Sequence, residues 1–168
     1  MLFRSRRLER SLGVLSLFEN VVSPADPNLR NSLFDYVLAA SESLVAYRRR
    51  YRSDTRIDAV LDLLLGDDTN PRALAFQLDR MAEHLAALPG PVDRSRLEHL
   101  LDATARAVLR APWQEIDDSV APIAATARTT TIEGLVLDAR GPLLDLAGAF
   151  VARWFADPAV ARRMGSAP

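Results

Sequence analysis

The chain has 168 residues, 49% hydrophobic and 26% charged, a balance that supports one globular core and excludes a disordered tail protein. Its 21 basic residues are all arginine and face 22 acids, so the net charge of −1 gives no global attraction to nucleic acid or to an anionic membrane. Cysteine is absent, which removes disulfides, zinc-thiolate centres and thiol nucleophiles, and no apolar run reaches the roughly 18 uncharged residues that a bilayer span requires.

The opening MLFRSRRLERSLGVLSLF does not read as a signal peptide, because Glu9 and Arg10 interrupt its apolar run and no small-residue cleavage site follows. The expected location is the cytoplasm. Leu8, Leu12, Leu15, Phe18 and Val22 recur at helical spacing, so a first helix is expected over 2–22, stopped by Ser23-Pro24. Glu19 lies four residues after Leu15, within that apolar stripe, and there a carboxylate needs a partner. Asp26 as N-cap with Pro27 at the first helical position starts a second helix, expected to run unbroken to Arg52 with Leu29, Leu33, Val37, Ala40, Leu44 and Tyr51 on its buried face.

Ile57, Val60, Leu61, Leu64 and Leu65 mark a short third helix ended by Gly66. Asn70-Pro71 opens a fourth, with Leu74, Leu78, Met81, Leu85 and Leu88 inward, until Pro89-Gly90-Pro91 breaks it. Asp93 caps a fifth through Arg110, which turns Leu97, Leu101, Thr104 and Val108 inward. After a loop holding Pro112 and Trp113, residues 119–156 read as helix, kinked or split at Gly141-Pro142 and closed by Asp157-Pro158. The expected fold is all-α, an antiparallel bundle of five to seven helices over 1–156, with 157–168 a frayed tail.

The usual catalytic signatures are missing: no G-x-S-x-G, no glycine-rich phosphate loop, no H-E-x-x-H. His84 and His99 fall on different predicted helices, and Asp67-Asp68 and Asp117-Asp118 stand where acids cap helix starts, so neither a metal nor a cofactor is expected.

The most unusual stretch is VAYRRRYR, residues 45–52. On one continuous helix, with Leu33 at zero, Arg48 falls near 60° and Tyr51 near 0°, on the core side, while Arg50 falls near 260° and faces water. Arg49 and Arg52 lie at the border of a second apolar stripe of Phe34, Leu38 and Val45. A nucleic-acid stripe would keep its charges on one wet side, so nucleic acid is not the expected partner. An inward Arg48 needs a carboxylate, and Glu19 or Glu9 on the first helix could supply it, either as a satisfied polar layer in the core or as an anion pocket. Asn70-Pro71-Arg72 has the same two readings, helix cap or anion site, with Gln77 and Arg80 following on that helix's flank. Phe76 falls about 200° away from the stripe of its own helix. With Trp113, Trp154 and the apolar double face of 143–155, it leads us to expect a further protein layer, supplied by a partner or a second copy.

RRLERSL (6–12), YRRRYR (47–52), LDLLLGDDTNPRALAFQLDRM (61–81) and FVARWF (150–155) together resemble the C-terminal half of the alpha-E domain, an all-helical family named for its Glu-Arg motif. The resemblance covers most of residues 5–156. It implies a bacterial protein encoded beside, or fused to, a circularly permuted ATP-grasp ligase, often with a transglutaminase-like protein, and either self-associating or completed by an N-terminal half. Carried onto this sequence, the Glu-Arg motif is Glu9-Arg10, the tyrosine-arginine motif comprises Tyr47, Arg48, Arg49 and Tyr51, and the Asn-Pro-Arg motif is Asn70 to Arg72, with Gln77 and Arg80 downstream. The function implied is a helical accessory or co-catalytic unit that binds an anionic group for an amide ligase. The alternatives are a stand-alone enzyme with a glutamate base, or a structural dimerisation module.

Overall fold

The computed structural model describes residues 2–19, 27–52, 54–87, 94–109 and 132–154. They form helices α1 (Leu2–Glu19), α2 (Pro27–Ala40), α3 (Leu44–Tyr51), α4 (Ile57–Leu61), α5 (Leu74–Ala86), α6 (Ser95–Leu109) and α7 (Ile132–Trp154), with a π-helical turn at Asp62–Gly66. There is no strand among the described residues, and the chain is an all-α bundle. The Asp93 cap, the Trp113 loop, residues 119–131 and the tail 157–168 lie outside the described residues.

The long amphipathic helices behave as their periodicity dictates. On α6, Leu97, Leu101, Thr104 and Val108 are all buried, and on α5 Leu74, Leu78, Met81 and Leu85 are too. Burying one such leucine contributes about 1.5–3 kcal/mol, so these two stripes alone account for much of the drive to associate. The helix α7 packs mainly on α6 and α1, and α5 on α1 and α6, so these four make the body of the bundle, to which α2, α3 and α4 are joined through α1 and the π-helical turn. Two hydroxyls inside the bundle are satisfied locally: that of Ser11 donates to the Arg7 carbonyl at 2.9 Å and that of Thr104 to the Leu100 carbonyl at 3.0 Å. Pro142 does not split α7, which is assigned as one helix through it.

Two expectations about the helices fail. The second helix is not continuous. It stops at Ala40, and Ser41 to Ser43 form a corner in which the Ser43 amide donates to the Leu38 carbonyl at 2.8 Å and the Glu42 amide to that of Ala39 at 3.0 Å. That pair of bonds is the Schellman termination, here with Glu42 at φ 55° in the left-handed position that glycine normally fills. Because the chain turns there, angles carried across it are void, and Arg48 is exposed rather than inward. Leu29, Ala40 and Val45, expected to face protein, are exposed for the same reason or because they sit near the helix start, and the core of α2 is Phe34, Val37 and Leu38.

The third helix ends at Gly66 as expected, with a last turn that is π rather than α. After α4 the chain widens into the π-turn, closed by the Asp67 amide donating to the Asp62 carbonyl at 2.8 Å. Finally, Asn70 does not cap a helix, since α5 begins at Leu74 and its N-cap is Ala73.

Candidate functional site

The Asn-Pro-Arg segment is a pinned turn. Asn70 donates from Nδ2 to the Leu63 carbonyl at 2.8 Å, accepts the Arg72 amide on Oδ1 at 3.0 Å, and its own carbonyl takes the Ala73 amide at 2.9 Å. Gln77, fully buried, holds the turn from the other side by donating to the Pro71 carbonyl at 2.5 Å, and it accepts from Arg7 Nη1 at 3.3 Å. The turn is thus tied to the π-turn, to α5 and to α1 at once. Its product is a fixed origin for the Arg72 side chain, which extends to pair with Glu42 at the α2–α3 corner.

Arg72 and Glu42 line a cleft of about 510 Å³ together with Arg10, Gly13, Val14 and Leu17 of α1. The spacing 10, 13, 14, 17 is one helical face. Gly13 leaves the floor open, since a Cβ built there would meet nothing within 4 Å. Two arginines from motifs 62 positions apart therefore line the same concavity, which has the size of a small-ligand site. The Glu42 side chain is 70% exposed and can leave Arg72 to an incoming anion without being stranded. Its left-handed backbone, costing of order 1 kcal/mol for a non-glycine residue, marks this corner as strained.

The other predicted residues fall elsewhere. Tyr47 is buried, accepts the Arg56 amide at 3.0 Å and donates to the Asp54 carbonyl at 3.2 Å, bracing the link between α3 and α4. Arg48 lies on the wall of a separate groove of about 400 Å³ with Asp35, Asp54 and Thr55. Arg49 is exposed, as is Glu9. Arg80 lies over the Phe76 ring at 5.4 Å and pairs with Glu83 at 2.8 Å, so Phe76 is half-covered from within this chain. Glu19 does not meet Arg48; its partner is Arg140 on α7.

Tyr51 donates to Asp62 at 2.6 Å, and burial, helped by that bond, pushes its phenol well above the ordinary tyrosine range. Arg50, expected in water, is half-exposed but pairs with Asp67 and lies 3.7 Å from Asp62. Burial pushes the Asp67 carboxyl up, but the Thr69 hydroxyl and amide and the Arg50 guanidinium outweigh it and hold the group below its usual value. This second cluster fastens α3 to the π-turn and is satisfied within itself. Sequence reasoning missed Glu42, Arg50, Asp62 and Asp67 as contributors. The available signal was the pair of serines flanking Glu42, which compete for backbone bonds and favour a break.

The sequence matches a family model described as Alpha-E, a predicted alpha-helical domain with a conserved ER motif, over residues 2–155. Two curated relatives are the uncharacterized proteins Rv2567 of Mycobacterium tuberculosis and Mb2597 of Mycobacterium bovis, each 33% identical over 114 residues. The match takes in 67% of this chain but 13% of either relative, so the chain corresponds to a small part of their length. No solved structure matches. With its family model spanning nearly the whole length and the ER pair at Glu9-Arg10, the chain belongs to the Alpha-E family.

Proposed function

We propose that this chain is a helical accessory domain of a circularly permuted ATP-grasp amide ligase system, binding an anionic group of the ligase's substrate in the cleft between Arg10 and Arg72. The observation that carries the reading is the convergence of those two arginines, with Glu42, on one concavity. A guanidinium pair offers fork-shaped donors that match a carboxylate, and Glu42 holds the Arg72 side chain extended until a ligand carboxylate replaces it. An ATP-grasp enzyme makes an acyl-phosphate and passes it to an amine, so a companion that holds a carboxylate-bearing acceptor fits its chemistry. The small fraction of the mycobacterial relatives that the match covers supports a domain built to work beside others.

The test is ATP turnover and amide formation by the ligase with and without this chain. Stimulation that is lost in Arg10→Ala and Arg72→Ala, with folding retained, is expected. Amide formation by the chain alone would overturn the accessory role, and stimulation untouched by both variants would remove the cleft from it.

A further inference from the structure

On α5, Gln77, Arg80 and His84 follow at spacings of three and four and so lie within about 60° of one another on the helix, beside the buried stripe. Arg7 of α1 joins them through its bond to Gln77, 3.3 Å long. Three nitrogens of this strip, Arg7 Nε, Arg80 Nε and His84 Nε2, are buried without a hydrogen-bond partner. A buried donor left unpaired costs about 1–3 kcal/mol, and more when it belongs to a charged group, so native proteins keep few of them. Two guanidinium Nε–H donors and an imidazole nitrogen on one seam point to a shared missing partner. Its sign follows from the charge: two guanidiniums stand on the strip, and among the described residues the acid that pairs there is Glu83, 55% exposed and 2.8 Å from Arg80, with no bond to Arg7.

We propose that the α1–α5 seam is a seat for an oxyanion, a phosphate or a carboxylate, held between Arg7 and Arg80 with His84 at one end. The Arg80 side chain is 40% exposed, so the edge of its guanidinium is reachable from solvent after a modest side-chain rotation. An oxyanion approaching side-on takes Nε–H together with a terminal N–H, the two-pronged geometry that makes arginine the preferred partner of such groups. Gln77 does not fill that role, because its oxygen meets Arg7 through Nη1 and leaves the Nε of both arginines unpaired. The seat uses none of the residues lining the Arg10–Arg72 cleft, so it stands whether or not the ligase assignment does.

The direct test is nitrogen-edited NMR of the arginine Nε–H signals of the wild-type 168-residue chain during titration with inorganic phosphate and, separately, with acetate. Saturable movement of the Arg7 and Arg80 signals is expected, and the arm that saturates first identifies the source chemistry. Arg7→Gln or Arg80→Gln should weaken binding about tenfold or more, the worth of one charge-assisted hydrogen bond. An Arg10→Ala, Arg72→Ala double variant should leave it unchanged. Signals that stay in place in both arms overturn the proposal, and so does binding that survives at Arg7 and Arg80 but is lost with Arg10 and Arg72. Because the wild-type titration stands alone, a variant that fails to fold does not spoil the test.

Discussion

Glu19 on α1 and Arg140 on α7 form an ion pair between residues 121 positions apart, with side chains 36% and 32% exposed. Arg140 also reaches the Ser16 hydroxyl at 3.4 Å, so one guanidinium spans a turn of α1. Arg140→Ala should therefore cost about 1 kcal/mol, above the usual surface pair and below the 3–5 kcal/mol of a fully buried one. A Glu19→Gln, Arg140→Ala double variant should lose less than the sum of its parts, as expected for residues in contact. Arg48→Ala, at an exposed position, should stay within about 0.5 kcal/mol. Urea denaturation checks all three, and a loss at Arg48 equal to that at Arg140 would contradict this assignment of partners.

The cluster around Asp62 predicts opposite behaviour at the two ends of the pH scale. Tyr51 keeps its proton in the folded chain above the pH where the unfolded chain loses it, because burial and the bond to Asp62 favour the neutral phenol. Its contribution is thus complete below about pH 10 and declines as pH rises beyond it, since the unfolded state then binds fewer protons than the folded one. Asp67 has the reverse sign. Its lowered value means that stability is present above the ordinary aspartate range and is lost as pH falls below it. Tyr51→Phe should flatten the alkaline decline, and Asp67→Asn should flatten the acid one, in thermal melts collected across pH. An unchanged alkaline limb in the Phe variant would show that the phenol is not responsible.

The sequence was a good guide wherever one helix carries one apolar stripe. The four inward residues of α6 were identified by spacing alone, because a helix of that length without glycine or proline has one way to bury its stripe. It was a poor guide across Ser41 to Ser43. No glycine or proline marks that corner, and the break depends on a glutamate accepting a left-handed backbone, which propensity argues against. One missed turn then moved Arg48 from protein to water, while Arg50 stays exposed as expected but gains acidic partners. Arg10 and Arg72 stand out in the sequence as members of the Glu-Arg and Asn-Pro-Arg motifs, but their place on one cleft with Glu42 depends on the corner that the apolar pattern does not mark.

Asn70 serves three partners in a turn where no helix supplies the bonds. Replacing it with alanine leaves the Leu63 carbonyl and the Arg72 amide without their side-chain partners, at a cost of about 1–3 kcal/mol. Asn70→Asp keeps the acceptor for the Arg72 amide but loses the donor to Leu63, so its loss should be intermediate. Beyond stability, the alanine variant frees the backbone from which Arg72 projects. Anion binding in the cleft should therefore weaken even under conditions where the variant is fully folded, as calorimetry with a glutamate-terminated peptide would read. Wild-type affinity in a folded Asn70→Ala chain would mean that the turn does not position Arg72.

Glu42 has two separable roles, and a pair of substitutions divides them. Both Glu42→Ala and Glu42→Gly remove the carboxylate that pairs with Arg72. They differ in the backbone: alanine keeps the side-chain clash at φ 55°, whereas glycine adopts that conformation freely. In the middle of a helix alanine would be the more stable choice, but here the order should invert, with the glycine variant ahead by about 1 kcal/mol. The electrostatic role is read in a different measurement. Without Glu42 competing for it, Arg72 is open to an external carboxylate, so both variants should bind the glutamate-terminated peptide more tightly than the wild type, and to the same extent. A gain in only the glycine variant would trace the effect to backbone geometry instead. Weaker binding in both would mean that Glu42 organises the cleft rather than occupying the place of its ligand.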